Sequence, residues 1–326
     1  GLTLDWRRNG QALAFCGFSF AAQTSHNDLP AALLAVPSIL LESINGRCRI
    51  TLSSTVARLG EALGHWKQLL AQPAASQPNQ YLPEADRTLA ERAWVARVNA
   101  ARRTIHQGKM DKVVLARSRK LLAKHSISAR LVLETLCEHQ PDACIYAFSQ
   151  GGSTFLGATP ERLIRLADRQ IESDALAGTA WPGSGELAGS KNQHEQSLVV
   201  QAIMQALAPL CISPVSARPV EIHAAGQLTH LRSRISGQVH SKITLFDLLR
   251  ELHPTPAVGG YPTSAALNWL TEHDEQRSGW YSGGIGILDG EGNGEFSVAL
   301  RSALIIGKQI ELHAGAGIVA DSDPWQ

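Results

Sequence analysis

Two periodicities of apolar and polar positions run through the chain, and together they predict a mixture of strands and helices. Short apolar runs and alternating positions predict strands at residues 12–20, 39–44, 47–52, 111–117, 144–148, 153–157, 162–166, 170–175, 215–223, 231–239, 280–288, 295–306 and 309–314. Apolar positions three or four residues apart predict helices at 58–70, 87–107, 128–139, 192–210, 243–252 and 264–273. Antiparallel hairpins with interspersed helices favour an α+β fold over a regular βαβ alternation.

Turn-rich stretches mark where the pattern changes without separating two folding units. Residues 71–86 are rich in Pro, Gln, Ala and Ser, which is typical of a surface linker. We therefore expect a single domain over residues 1–326, with a more variable, strand-rich part at 1–86 and a core that carries the chemistry at 87–326.

Composition and charge exclude several classes of partner. The chain has 326 residues, is 44% hydrophobic and carries a formal net charge of +1, so neither a polyanion nor a membrane surface is indicated. Five cysteines without a Cys-x-x-Cys motif argue against a disulfide framework and favour a reducing compartment. No apolar segment approaches membrane-spanning length. We expect a cytoplasmic monomer that binds neither nucleic acid nor membrane.

The densest candidate chemistry lies between Phe155 and Glu195. Glu161 follows Pro160, whose fixed φ stiffens the turn and aims the carboxylate. Residues 175–180 are nearly all small, so a ligand can approach their backbone closely. Glu195 lies in the first turns of a predicted helix, where a carboxylate can hold a hard cation. The pattern fits either an acid–base site with a metal or a solvated acidic surface.

Lys112, His230 and Arg301 each interrupt an apolar strand pattern. Lys112 is either a solvated edge charge or, if its face is buried, a general base whose pKa is lowered by desolvation. His230 is either a structural histidine or a pocket residue. Arg301 reaches solvent or has a partner, and a carboxylate would be a bidentate one.

Three motifs in this order resemble those of the chorismate-utilising enzymes, and among these the isochorismate synthases. They are Gly-Ala-Thr-Pro-Glu-Arg-Leu at 157–163, Ala-Leu-Ala-Gly-Thr at 175–179 and Lys-Asn-x-x-Glu at 191–195. The resemblance covers roughly residue 89 to the end. It implies a large α+β domain in which two antiparallel β-sheets pack together, with helices outside and the pocket between the sheets.

The resemblance also implies a reaction and the roles of ten residues. The reaction is a Mg²⁺-dependent conversion of chorismate to isochorismate, an isomerisation in which water adds at C2 and the C4 hydroxyl leaves. Lys112 would be the base, Glu161 the acid and Glu195 a metal ligand. Substrate contacts are implied for Gly178, Thr179, His230, Ala257, Tyr281, Arg301 and Gly315. A further metal-binding Glu is expected just beyond a C-terminal Trp, past the end of this sequence.

Two positions separate the possible reactions within the resemblance. Anthranilate and aminodeoxychorismate synthases usually carry an uncharged amide where Lys112 stands, so Lys112 favours water over ammonia. Salicylate synthases, which go on to eliminate pyruvate, tend to have Thr where Ala257 stands. A salicylate synthase and a non-catalytic chorismate-binding homologue remain the alternatives. The pathway, menaquinone or siderophore biosynthesis, stays open.

One motif invites a different interpretation, that of a dinucleotide-binding enzyme. Gly315-x-Gly-x-x-Ala320 follows a predicted strand, as a dinucleotide fingerprint does. However, Asp-Ser-Asp-Pro comes next instead of a helix, and no βαβ unit surrounds it. Backbone amides at Gly315 that hold a carboxylate are the better interpretation.

Overall fold

The computed structural model describes residues 13–21, 29–54, 58–70, 78–82, 88–183 and 186–325. Most of the predicted linker at 71–86 lies outside these residues. In its described part, Tyr81 forms an isolated antiparallel bridge with Ala123. None of the described helices is long and apolar enough to cross a membrane.

The larger of the two main sheets has nine strands and is antiparallel throughout. Its order is β10-β12-β9-β8-β15-β14-β1-β2, and β11 also pairs with β12. The strands are β1 (Leu13–Phe18), β2 (Ala32–Ala35), β8 (Arg162–Ala167), β9 (Gln170–Ala180), β10 (Ser216–Ala217), β11 (Glu221–Ala225), β12 (Leu228–Gln238), β14 (Gly284–Asp289) and β15 (Gly294–Val298).

The second sheet has six antiparallel strands in the order β13-β5-β17-β16-β7-β6. They are β5 (Lys112–Leu122), β6 (Cys144–Gln150), β7 (Ser153–Thr159), β13 (Gly260–Tyr261), β16 (Ser302–Ile306) and β17 (Gln309–Ile318). A separate hairpin is formed by β3 (Ile39–Ile44) and β4 (Arg47–Leu52). Its turn residues Asn45 and Gly46 both have positive φ, as the predicted Asn-Gly turn requires.

The described residues form six α-helices. They are α1 (Leu59–Leu70), α2 (Thr88–His106), α3 (Ala129–His139), α4 (Ser190–Leu207), α5 (Leu245–Leu252) and α6 (Thr263–Glu272), with short 3₁₀ turns at Glu186–Ala188 and Ala208–Leu210. Helices α4 and α5 pack on the nine-stranded sheet, whereas α2, α3 and α6 pack on the six-stranded one. The predicted α+β fold with two packed antiparallel sheets and outer helices is confirmed.

The two sheets face each other across a shared apolar cluster. Phe155 of β7 and Leu304 of β16 pack against Trp280 and against Ile285 of β14. All four side chains are buried. Because the sheets meet here, residues on their inner faces converge from distant parts of the sequence, and a cavity between the sheets can collect side chains from both.

The prediction of one continuous strand at 295–306 is wrong. The chain forms β15 in the nine-stranded sheet, leaves it at Ala299, and enters the other sheet as β16. Arg301 makes the crossing with φ 49°, in the left-handed region. Apolar residues continue on both sides of the crossing because both strands bury a face, so the interruption at Arg301 does not by itself mark a break between two strands.

Other strand boundaries also differ from the prediction. The strand predicted from Trp280 begins only at Gly284, because residues 280–283 form a turn in which Ser282 has φ 60°. The single strand predicted at 215–223 is two short pieces, β10 and β11. By contrast, β9 continues beyond its predicted end to Ala180. That extension carries the small-residue motif into the space between the sheets.

Candidate active site

A cavity of about 360 Å³ lies between the two sheets and collects all ten residues predicted for the site. Lys112 and Gly315 come from the six-stranded sheet, and Gly178, Thr179 and His230 come from the nine-stranded one. The connecting segments and α4 supply the remaining members of the set, which are Glu161, Glu195, Ala257, Tyr281 and Arg301. Their placement together agrees with the predicted site, whereas the individual roles stay predictions.

Lys112 is buried, so it is not a solvated edge charge, and its role as a base stays a prediction. Only 1% of its side chain is exposed, and Nζ lies 2.6 Å from Oε1 of Glu195. Strand alternation places Val114 on the same cavity face, as predicted, while Val113 and Leu115 pack under α2 and α6. A buried lysine paired with a carboxylate is held in one position and is shielded from bulk water.

Glu161 is buried directly after Pro160, between β7 and β8. Its pKa is raised to about 8, chiefly by burial; the charge of Lys112 and a hydrogen bond with Thr255 act to lower the pKa, and the nearby carboxylate of Asp174 acts to raise it. The carboxyl is therefore protonated at neutral pH. A protonated carboxyl beside a lysine is the arrangement expected of an acid and a base that act on opposite sides of one reaction.

Gly178 shapes the wall opposite Lys112. It has φ +66° and is bulged out of the β9–β12 ladder, where the register shifts between His230 and Leu231. A side chain at this position would be strained, which explains the glycine. The bulge turns the Gly178 carbonyl towards Nδ1 of His230, 3.0 Å away, and sets Thr179 beside the same nitrogen.

The hydrogen bonds of His230 define its tautomer. The Gly178 carbonyl can only accept, so Nδ1 carries the hydrogen and Nε2 is an acceptor. Arg301 Nη2 lies 2.7 Å from Nε2 and donates to it. Burial lowers the pKa of His230, which keeps the ring neutral. Arg301 also donates to the Ala225 carbonyl and to Gln140, so two further hydrogen bonds fix the position of its guanidinium.

Tyr281 and the two glycines of β17, Gly315 and Gly317, form one side of the cavity. The ring of Tyr281 stacks on His313 with centroids 5.1 Å apart. A Cβ at Gly315 would lie 2.5 Å from the Tyr281 hydroxyl, and one at Gly317 would lie 2.9 Å from Cε of Lys112. Glycine at both positions leaves room for side chains that reach over the strand, and a Cβ there would require them to shift.

His313, Gly317 and Ser282 also line the cavity, although the sequence did not predict them there. The alternation of β17 could have found the first two, since residues two apart from Gly315 share its face. Ser282 lies in the turn that was mistaken for strand.

The residues present offer a divalent cation one carboxylate. Glu195 lines the cavity. Within the described ranges, however, no group of three or more His, Cys, Asp or Glu side chains could hold a metal ion. Mg²⁺ is commonly bound through one or two carboxylates, with substrate oxygens and water completing its coordination. Glu195 fits one such ligand and no more.

Taken together, these features define a class of protein. Buried charges are unfavourable unless they are paired, so a cavity that concentrates a lysine, an arginine and two carboxyl groups marks a functional site. The protonated Glu161 and the amine of Lys112 suit acid–base chemistry, and the guanidinium of Arg301 suits a small anionic molecule. The class is thus that of an α+β protein with a charged cavity, suited to acid–base chemistry, between its two sheets.

The comparisons with known proteins agree on the family. The profile of the family described as chorismate binding enzyme matches residues 5–326. The salicylate biosynthesis isochorismate synthase of Pseudomonas aeruginosa is 39% identical over 269 residues, which are 78% of this chain. The isochorismate synthase MenF of Bacillus subtilis is 36% identical over 262 residues, or 77% of this chain. The chain belongs to the chorismate binding enzyme family.

A solved structure has a fold similar to that of this chain. Escherichia coli MenF, described as a menaquinone-specific isochorismate synthase, superposes with a TM-score of 0.79 at 27% identity, covering 97% of this chain and 75% of that one. The present chain matches only 56% of the length of the Pseudomonas protein and 56% of the Bacillus protein.

Proposed function

We propose that the protein is an isochorismate synthase that converts chorismate to isochorismate reversibly. The observation that carries this proposal is the joint burial of Lys112 and Glu161 in one cavity, with Glu161 protonated at neutral pH. The relatives named as isochorismate synthases in Pseudomonas and Bacillus support the choice of substrate.

In the proposed reaction, the two groups handle one proton each. Lys112 takes a proton from water as the oxygen forms its bond to C2 of the ring. Glu161 gives its proton to the C4 hydroxyl, which leaves as water while the double bonds shift. One water enters and one leaves, so the product is an isomer. Lys112 becomes an ammonium ion, which Glu195 stabilises at 2.6 Å.

The remaining residues would orient the substrate. Chorismate is a dicarboxylate, and Arg301 offers a guanidinium that is already fixed by His230 and the Ala225 carbonyl. The bulge at Gly178 and Thr179 would line the ring, with Tyr281 and Gly315 below it. Such preorganisation accelerates a reaction by holding the reacting atoms in place.

We further propose that Mg²⁺ takes part and that Glu195 supplies a carboxylate ligand. When bound, the cation would neutralise the ring carboxylate of the substrate. A monomeric state and a cytoplasmic location stay predictions.

Product analysis by chromatography tests the proposal. Purified protein is incubated with chorismate, with and without Mg²⁺, alongside Lys112→Ala and the control Lys120→Ala, an exposed lysine on the same strand. Isochorismate that requires both Lys112 and Mg²⁺ would support the proposal. Salicylate with pyruvate would establish the salicylate synthase alternative, and bound chorismate without turnover would establish a non-catalytic homologue.

A further inference from the structure

We propose that Arg277, with Glu275, is a positioning residue that holds the Lys112 strand and the opposite loop in register across the cavity wall. Neither side chain lines the cavity, and neither was singled out by the sequence. The expected kinetic effect rests on the proposed function. The clamp itself, by which we mean the contacts of Arg277 and Glu275 with β5 and with the Val258 carbonyl, rests on geometry alone.

Strand β5 has an incomplete edge at the point where it forms the cavity wall. One edge pairs continuously with β17 from Val113 to Leu122. At the end of β5 that lines the cavity, the other edge pairs with β13 only at Lys112 and Val113, followed by one backbone bond from Val114 N to the Gly259 carbonyl. The chain then turns away, which leaves the next backbone groups of β5 without a partner strand.

Three charged side chains take the place of that missing strand. Arg277 Nη2 donates to the Val114 carbonyl at 2.8 Å. Glu275 Oε1 accepts from the Ala116 amide at 2.5 Å, and Arg97 Nη1 donates to the Ala116 carbonyl at 3.5 Å. Arg97 and Glu275 are themselves ion-paired. Successive groups on one edge of β5 are thus satisfied by side chains instead of backbone.

The guanidinium of Arg277 also reaches the opposite wall. Its Nη1 donates to the Val258 carbonyl at 2.9 Å, so a single planar fork joins the β5 strand to the loop before β13. Val114 and Val258 both line the cavity. Because Lys112 lies two residues before Val114 on the same strand, the position of its side chain depends on this bridge.

The clamp is rigid because it is buried and surrounded. Arg277 is 3% exposed, its Nε lies 3.6 Å from Glu275 Oε1, and its guanidinium lies 3.8 Å from the ring centroid of Phe20. Burial lowers the pKa of Arg277 to about 10, which still leaves it charged at neutral pH. A lysine could keep the charge but could not offer two fixed donors to two carbonyls.

The first arm of the test is kinetic and compares Arg277→Lys and Arg277→Met with Leu207→Ala. Leu207 is fully buried at the far end of α4, away from the cavity, so its truncation lowers stability without touching the clamp. We expect kcat to fall about 10-fold in Arg277→Lys and about 100-fold in Arg277→Met, with the KM for chorismate within about threefold, as a misplaced catalytic group would cause. Leu207→Ala should keep kcat within about twofold below its melting temperature.

The second arm measures hydrogen exchange and does not depend on activity. In Glu275→Ala, the Ala116 amide loses its acceptor, so its exchange should become at least about tenfold faster while amides of β7 stay protected. Unchanged exchange at Ala116 would overturn the clamp. A kcat in Arg277→Lys equal to that of the wild type would overturn the positioning role. If the wild type converts no chorismate, the proposed function fails and the exchange result alone decides on the clamp.

Discussion

Two cavities lie between the same two sheets, and they differ in what surrounds them. The candidate active site has a volume of about 360 Å³ and contains Lys112, Glu161 and Arg301. The other is larger, about 570 Å³, and is lined mainly by apolar side chains of β1, β2, β6 and β14. Adjacent residues separate them, since Trp280 faces the larger cavity and Tyr281 the smaller one.

The difference shows that charge, not size, distinguishes a catalytic cavity here. Among the described residues that line the larger cavity, Glu295 is the charged one, and Arg162 pairs with that carboxylate. A gap between apolar side chains only loses packing contacts, whereas burying Lys112 and Glu161 requires desolvation of both. A fold keeps such an unfavourable arrangement where it serves a reaction.

The largest effect is expected from Lys112→Ala in the charged cavity. Loss of the general base should lower kcat/KM for isochorismate formation by about 10³-fold. Lys120→Ala on the same strand should stay within about twofold. A loss of less than about tenfold in Lys112→Ala would show that another group activates the water.

Glu161→Gln is expected to have the next largest effect, about 10²-fold on kcat, because the proton donor is lost. In the wild type, kcat should fall as the pH rises through about 8, where Glu161 ionises. Glu291→Gln, which changes a carboxylate in the exposed 289–294 turn, is the control. A wild-type rate that is flat between pH 6 and pH 9 would exclude Glu161 as the acid.

The same titration predicts a change in stability. Burial raises the pKa of Glu161 from 4.5 to about 8, so between these values the folded protein holds a proton that the unfolded chain releases. The associated stability is present below pH 4.5 and is lost as the pH rises to about 8. Glu161→Gln has no carboxyl that ionises at this position, so the variant should not lose this stability as the pH rises. Its melting temperature relative to the wild type should therefore increase from pH 5 to pH 8, as calorimetry can measure.

His230→Phe should have a smaller effect, mainly on binding. Removing the acceptor at Nε2 leaves Arg301 without its shortest hydrogen bond, at 2.7 Å, so the guanidinium becomes less well oriented. We expect the KM for chorismate to rise about tenfold, with kcat changed less. His230→Gln can restore an acceptor and should recover part of the loss. Equal KM values in all three proteins would contradict the role of His230.

The smallest effect on activity is expected in the apolar cavity. Phe148 lines it and packs 4.8 Å from Trp280 between ring centroids. Phe148→Ala should lower the free energy of unfolding by about 2–4 kcal/mol, while kcat/KM stays within about threefold. A loss of activity as large as that of Glu161→Gln would mean that the two cavities are not functionally distinct.

Much of the fold could be predicted from the sequence because its local signals agree with the tertiary structure. Asn45-Gly46 predicts the β3–β4 hairpin, and Gly108 with φ +69° ends α2 as expected. The crossing at Arg301 could not be predicted, since both strands around it bury apolar residues. Only the assembled sheets require the chain to change layers at that point.

The candidate site, like the fold, has one part that the sequence predicts and another that it does not. Motif residues such as Glu161 and Glu195 stand out in the sequence, and the structure brings them into one cavity. The side chains that bind the free edge of β5 could not be predicted from the sequence, because Arg277 and Glu275 lie about 160 residues away from the Val114 and Ala116 groups that they bind. Such long-range contacts leave no periodic signal.

The central claim is that water activated at Lys112 adds to C2 while Glu161 releases the C4 hydroxyl. Conversion of chorismate in ¹⁸O-labelled water, followed by mass spectrometry of the isochorismate formed at low turnover, tests it most directly. We predict one ¹⁸O atom in each product molecule, in the new C2 hydroxyl. Unlabelled isochorismate would mean that the hydroxyl moves within the substrate, which would contradict the roles given to both residues.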